Sequence, residues 1–150
     1  MIATLVAILA CELFDRYQRH LRIRKSALCN PHVAAWFDAV DDGRLYLSVL
    51  VLGEIGKGVQ RSRSKDPKKA RALESWLIAS GTCFASRILP VDLAVAGAWG
   101  RMSAPRPVST IDALLAATAK VNRMTLVTHN LSDIADLGVN VLDPFVPQIS

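Results

Sequence analysis

Residues 108–133, VSTIDALLAATAKVNRMTLVTHNLSD, decide the fold because they predict a helix that leads directly into a buried strand. The first part, IDALLAATAKVN at 111–122, is strongly apolar at helical spacing, with Ser109 or Thr110 as its N-cap. The second part, TLVTH at 125–129, is a short apolar run typical of a buried strand. A helix followed so closely by such a strand indicates an α/β arrangement.

The same alternation of helical and strand patterns extends over the chain from residue 30 onward. Asn30 and Pro31 predict the start of a helix, and Gly81 predicts the end of another. Strands alternating with helices favour a parallel sheet covered on both faces. The further strands are predicted at LYLSVL (45–50), RILPV (87–91) and VNVLDPF (139–145), and the further helices at 32–40, 51–60, 68–80, 93–102 and 131–138.

Length and composition predict one globular domain without a membrane segment. The chain has 150 residues, of which 51% are hydrophobic and 21% charged, which suits a single folded domain. Its apolar start, Met1 to Cys11, lacks a basic region and is followed at once by Glu12 and Asp15, so it resembles neither a signal peptide nor an anchor. We therefore expect a cytoplasmic protein. Three cysteines without a CxxC pair do not form a disulfide framework.

The net charge of +5 comes from one block of the sequence. Residues 16–25, RYQRHLRIRK, contain five Lys or Arg and no acid, and the remainder of the chain is balanced. A second basic stretch, 57–71, includes Lys57 and Arg61. It fits either a surface that contacts RNA phosphates or an ordinary solvated connection between helices.

Three acids are predicted to lie at the edge of the sheet where parallel strands end. Glu54 follows the strand 45–50, Asp112 lies in the first turn of the helix 111–122, and Asp133 follows the strand 125–129. Carboxylates grouped there are suitable ligands for Mg²⁺, which prefers oxygen. The alternative is structural, since acids in the first turn of a helix also stabilise its dipole.

Five blocks of the sequence, in order, resemble the PIN domain of VapC- and FitB-type toxins. The resemblance covers about residues 25–145 and implies a PIN-like three-layer α/β/α sandwich with a central parallel sheet. It divides the chain into an atypical segment, 1–24, and a PIN-like domain, 25–150. The blocks are NPHVAAWFDA (30–39), LYLSVLVLGEIGKGV (45–59), RILPVD (87–92), VSTIDALLAATA (108–119) and TLVTHNLSD (125–133).

The resemblance also implies an activity and a set of site residues. Members of this family cut RNA with Mg²⁺ or Mn²⁺ held by four acids, act with a VapB-type antitoxin and form homodimers. Glu54, Asp112 and Asp133 match the second, third and fourth acids. Thr128 and Asn130 match the family's T-x-N turn, which supports the site.

The family's first acid block, similar to LIDTNVISE, is missing from this chain. CELFDRYQRHLRIRKSAL stands there at 11–28, and only Asp15 falls within one residue of the expected acid. Asp15 is therefore a tentative fourth ligand. The apolar segment TLVAILA at 4–10 could occupy the central strand in place of the lost one, with Asp15 reaching the site from a longer loop.

A shift of the reading frame offers an explanation for the missing block. Codons that encode residues 15–23, read one base later, can spell IDTNVISEF, which matches the family pattern. On this hypothesis residues 16–25 are an out-of-frame product, which explains their basic character, and residues 1–13 have no counterpart in the fold. The coding DNA tests the hypothesis directly.

The sequence therefore leads to two main functional hypotheses. The first is a Mg²⁺-dependent endoribonuclease toxin of a type II toxin–antitoxin system, impaired by the loss of its first acid. The second is a catalytically inactive PIN-like module that still dimerises and binds antitoxin. A generic nucleotide-binding protein is disfavoured, because GEIGKG at 53–58 lacks the pattern of a phosphate-binding loop.

Overall fold

One parallel sheet forms the centre of the molecule. In the computed structural model, which describes residues 4–6 and 30–149, the strand order is β3-β2-β1-β4-β5 and every neighbouring pair is parallel. This arrangement confirms the predicted central parallel sheet. The strands are β1 (Thr4–Val6), β2 (Leu45–Ser48), β3 (Ile88–Leu89), β4 (Thr125–Val127) and β5 (Val141–Leu142).

Helices connect the strands and are numbered here among the described residues only. Most begin at a side-chain cap that the sequence supplies. Asn30 accepts a hydrogen bond from the backbone N–H of His32 at 2.9 Å, and Asp92 accepts one from that of Val95 at 2.9 Å. The helices are α1 (Pro31–Ala39), α2 (Val49–Ser62), α3 (Pro67–Cys83), α4 (Leu93–Ser103), α5 (Thr110–Val121) and α6 (Leu131–Ile134).

The strand β1 lies in the middle of the sheet and comes from the atypical start of the chain. Leu5 is in register with Tyr46 of β2 on one side and with Leu126 of β4 on the other. The expectation that residues 1–13 have no counterpart in the fold is therefore wrong for Thr4–Val6. The alternative, that this apolar segment supplies the central strand, is confirmed for these three residues, whereas the boundary at residue 24 stays a prediction.

The core lies between the sheet and the helices that cover it. Trp76 of α3 is 1% exposed and belongs to the same cluster as Leu47 of β2 and Leu126 of β4. The helix α2 packs against α3, and α4 packs against α5. Small residues allow α5 to lie close to its neighbours, and its fully buried alanines are Ala113, Ala116, Ala117 and Ala119.

Several boundaries differ from those predicted. The helix α3 continues past Gly81 to Cys83, because Gly81 does not adopt the positive φ that ends many helices. The strands are shorter than the apolar runs, and β4 ends at Val127 where Thr128 begins the next turn. Within the described ranges, the structure contains no helix long and apolar enough to cross a membrane.

The topology brings the predicted site residues to one edge of the sheet. Parallel strands end at a common edge, so Ser48 and Val127 terminate β2 and β4 on the same side. The helix α2 starts there at Val49, directly after β2. The helix α5 ends just before β4 begins, so its first turn, which contains Asp112, returns to that edge.

Candidate metal centre

Two of the predicted acids meet through the side chain of Asn130. The amide Nδ2 of Asn130 donates to Oδ2 of Asp112 at 3.1 Å and to Oδ2 of Asp133 at 2.8 Å. Both N–H groups of one amide are thus directed at two carboxylates, which keeps them close and lessens their mutual repulsion. The residues come from the start of α5, from the turn after β4 and from α6.

The turn that carries Asn130 is fixed by a buried hydroxyl. Thr128 is buried at the end of β4, and its Oγ1 accepts from the backbone N–H of Asn130 at 3.1 Å. The backbone N–H of Thr128 in turn donates to the carbonyl of Leu142 in β5 at 3.0 Å. The sheet therefore fixes the backbone of Asn130 through these two hydrogen bonds.

An arginine that sequence reasoning missed holds the other side of Asp133. Arg106 Nη2 donates to the backbone carbonyl of Asp133 at 3.0 Å, and its Nε lies 3.5 Å from Oδ2 of Asp136. Arg106 stands between Pro105 and Pro107, in the loop that leads into α5. An isolated arginine in a proline-rich loop just before an acidic helix start was the available signal.

Glu54 does not share in this contact. Its side chain is 45% exposed and pairs with Lys57 one turn further along α2, with Nζ of Lys57 3.7 Å from Oε1 of Glu54. Among residues 30–149, no three side chains of His, Cys, Asp or Glu are grouped closely enough to hold a metal ion. The structure therefore brings together Asp112 and Asp133, and it leaves Glu54 as a separate acid on α2. Asp15, the tentative fourth ligand, lies outside the described residues.

The basic residues proposed to contact RNA lie on the exposed surface of α2. Lys57 and Arg61 are one turn apart and both are exposed. Further along, Arg63 pairs with Glu74 of α3 at 3.2 Å, which places that charge between helices. Lys57 and Arg61 thus remain the candidates for phosphate contact on this helix.

His129 has a defined environment that sequence reasoning did not foresee. Its Nδ1 lies 3.1 Å from Oδ2 of Asp143, and its ring centroid is 4.4 Å from that of Phe145. Asp143 follows β5, so this pair occupies the same edge of the sheet as the acidic pair.

Comparison with known proteins identifies the family. The sequence profile of the PIN domain matches residues 26–138, which is most of the chain. The chain therefore belongs to the PIN domain family.

Individual relatives are toxin and plasmid-stability proteins. The chain is 30% identical over 124 residues to plasmid stability protein StbB of Pseudomonas syringae pv. tomato, covering 77% of this chain and 86% of that protein. It is 28% identical over 124 residues to toxin FitB of Neisseria gonorrhoeae, with the same coverage of both chains.

Solved structures with the same fold are components of toxin–antitoxin complexes. A chain in the structure of FitAB bound to an IR36 DNA fragment superposes with a TM-score of 0.77 at 24% identity, covering 97% of this chain and 99% of that chain. A chain of DNA-bound VapBC from Salmonella typhimurium superposes with a TM-score of 0.63 at 20% identity, covering 96% and 99%. These similarities confirm the PIN-like fold.

The residues present fit a divalent cation of the Mg²⁺ type. The two Oδ2 atoms of Asp112 and Asp133 converge on one amide, and both side chains retain a second oxygen. Mg²⁺ in proteins commonly takes one or two carboxylates and keeps several waters, so two acids are sufficient for a minimal metal site. Asn130 Nδ2 would hold the two Oδ2 atoms, and the Oδ1 atoms of Asp112 and Asp133 would be available as ligands.

Proposed function

We propose that the chain is a Mg²⁺-dependent endoribonuclease toxin of a type II toxin–antitoxin system, with catalysis impaired by the loss of its first acid. The observation that carries this proposal is the pair of carboxylates, Asp112 and Asp133, bridged by Asn130. Membership of the PIN family supports the assignment. So does the toxin FitB, a relative that covers 77% of the chain.

The metal would be held by Asp112 and Asp133, with Glu54 as a third ligand and Asp15 as a tentative fourth. When bound, Mg²⁺ or Mn²⁺ supplies charge that stabilises the scissile phosphate and lowers the pKa of an attacking water. Asn130 orients the two aspartates, and Thr128 orients Asn130. Glu54 must leave Lys57 to reach such an ion, which frees the Lys57 ammonium for the RNA backbone.

RNA would extend from the acidic edge along the exposed surface of α2, which begins at that edge and runs away from it. Lys57 and Arg61 are exposed cations on that helix and suit phosphate contacts that carry no sequence information. We further propose a cytoplasmic homodimer that binds a VapB-type antitoxin. The FitAB and VapBC complexes, whose chains share this fold, support an antitoxin partner that also binds DNA.

Cleavage of RNA tests the proposal. The chain should cut single-stranded RNA in Mg²⁺ and not in EDTA, and Asp112→Asn should lower the rate about 100-fold. Asn140→Asp, an exposed substitution before β5, serves as a control and should leave the rate unchanged. Absence of Mg²⁺-dependent cleavage, or equal rates for Asp112→Asn and the unaltered chain, would contradict the assignment.

The claim of impairment has its own test. A chain carrying IDTNVISEF in place of residues 15–23 should cleave RNA faster, because it regains the family's first carboxylate. Equal activity of the two chains would refute the proposed impairment of catalysis. The coding DNA offers an independent check, since its shifted frame should read close to IDTNVISEF.

A second candidate is an inactive PIN module that still dimerises and binds antitoxin. The observation in its favour is that Glu54 pairs with Lys57 and that no three-acid group forms within residues 30–149. Binding of a VapB-type antitoxin without any Mg²⁺-dependent cleavage would favour this candidate. Restoration of cleavage by the IDTNVISEF block would show that the rest of the machinery is intact.

A further inference from the structure

The imidazole of His129 is held in place although most of it is exposed. Its side chain is 68% exposed, yet Nδ1 lies 3.1 Å and 3.3 Å from the two carboxylate oxygens of Asp143. The ring of Phe145 packs beside it, with centroids 4.4 Å apart and planes inclined by 41°. The contacts with Asp143 and Phe145 therefore orient this exposed ring before any ligand binds.

The carboxylate that holds His129 is itself anchored. The side chain of Asp143 is 9% exposed, and its Oδ1 accepts from the backbone N–H of Phe145 at 2.9 Å. The backbone carbonyl of Asp143 accepts from Nε2 of Gln148 at 2.8 Å. The position of Asp143 is therefore fixed by the backbone around it, and Asp143 determines the orientation of the imidazole.

This contact fixes the tautomer of the neutral ring. A carboxylate only accepts hydrogen bonds, so the proton of neutral His129 lies on Nδ1, which faces Asp143. The other nitrogen, Nε2, is then an acceptor on the far side of the ring. His129 lies between Thr128 and Asn130 in sequence, on the same turn after β4 that carries the amide of the acidic pair.

We propose that His129 is an RNA-contacting residue that accepts a hydrogen bond from a ribose 2′-hydroxyl, with Asp143 as its positioning residue. The inference rests on the proposed nuclease function and deepens it by naming a determinant for RNA over DNA. A fixed imidazole acceptor recognises an O–H or N–H donor, and the ribose 2′-hydroxyl is the donor that RNA has and DNA lacks.

Binding measured without cleavage tests the inference. Fluorescence anisotropy in EDTA compares a random-sequence single-stranded RNA pool with the DNA pool of the same length, containing deoxyuridine for thymidine. The unaltered chain should bind RNA about five times more tightly, the size of one hydrogen bond. His129→Phe, which keeps a flat ring beside Phe145, should remove this ratio by weakening RNA binding alone.

Two further variants separate positioning from general charge. Asp143→Asn keeps an oxygen acceptor for the N–H of Phe145 but no longer fixes the tautomer, so it should reduce the ratio while the chain stays folded. Lys120→Gln, in the last turn of α5 away from this edge, should leave the ratio unchanged.

The outcomes distinguish this inference from the proposed function. A ratio near one in the unaltered chain, or an unchanged ratio in His129→Phe, overturns the 2′-hydroxyl contact. Equal weakening of RNA and DNA by His129→Phe also overturns it, because that result indicates a phosphate contact. Cleavage in Mg²⁺ is measured separately, so its absence contradicts the nuclease proposal and not the binding preference.

Discussion

The amide of Asn130 stabilises two carboxylates that would otherwise repel each other across the site. Replacing it by a third carboxylate, Asn130→Asp, removes two hydrogen bonds and adds a like charge beside Asp112 and Asp133. In EDTA we expect the free energy of unfolding to fall by about 1–3 kcal/mol. Mg²⁺ should raise the thermal unfolding midpoint of this variant more than that of the unaltered chain, because metal binding offsets the added charge.

Asn140→Asp is the matched control for that measurement. It introduces the same charge at an exposed position before β5, where the backbone carbonyl of Asn140 still accepts from Leu126. Its unfolding midpoint should respond to Mg²⁺ as the unaltered chain does. An equal response of Asn130→Asp and Asn140→Asp would argue against a metal centre at the acidic pair.

Arg87 is a second residue whose contacts predict a measurable effect. Its guanidinium donates to the backbone carbonyls of Asp42, Leu45 and Cys83, and it packs over the ring of Phe84. Arg87→Lys keeps the charge but loses the planar fork, so it should lower the free energy of unfolding by about 2 kcal/mol. Arg71→Lys, on the exposed face of α3, should change it by less than about 0.5 kcal/mol in urea unfolding.

The residues of the site were only partly predictable from the sequence. Asp112 and Asp133 could be found because strand ends and helix starts meet at one edge in parallel sheets, and Asn130 because it matches the family's T-x-N turn. Arg106 and Asp143 were missed, because Arg106 lies in a proline-rich loop and Asp143 within the predicted strand 139–145, and only the folded chain joins them to Asp133 and His129. The spacing predicted that Glu54 lies on the helix after β2. It did not predict the direction of the side chain, which contacts Lys57 and not the two aspartates.

At the scale of elements, two glycines behave in opposite ways. Gly81 lies inside α3, and a Cβ built there meets nothing within 4 Å, so Gly81→Ala should stabilise the protein by about 0.5–1 kcal/mol. Gly138 has φ of +66°, in the left-handed region, so Gly138→Ala should destabilise it by about 1 kcal/mol. Denaturant unfolding of both variants checks the pair, and a loss of stability in Gly81→Ala would contradict the helical assignment.

The elements themselves were predicted well and their ends less so. Apolar periodicity is a property of a whole segment, so the longer described helices were anticipated, whereas α6 ends at Ile134 and not at the expected Gly138. The end of α3 depends on local geometry at Gly81 and Phe84, which periodicity does not report. The strands β3 and β5 have only two residues each in the ladder. Their lengths could not be predicted, because strand pairing depends on a neighbour that the local sequence does not specify.

At the scale of the whole molecule, the sheet depends on β1. Leu5→Pro removes a backbone donor from a strand paired on both sides, so we expect a loss of several kcal/mol or failure to fold. Leu5→Val, which favours extended backbone, should have little effect. Circular dichroism during thermal unfolding compares the two, and equal behaviour of Leu5→Pro and Leu5→Val would contradict the central position of β1.

The placement of β1 also has a consequence for synthesis on the ribosome. Thr4–Val6 are synthesised long before one of their two pairing partners, Thr125–Val127. Until then the growing polypeptide has an open hydrogen-bonding edge, and it lacks Asp133 altogether. Products that terminate before Thr125 therefore contain neither the complete sheet nor the acidic pair, which confines any nuclease activity to chains translated beyond Asp133.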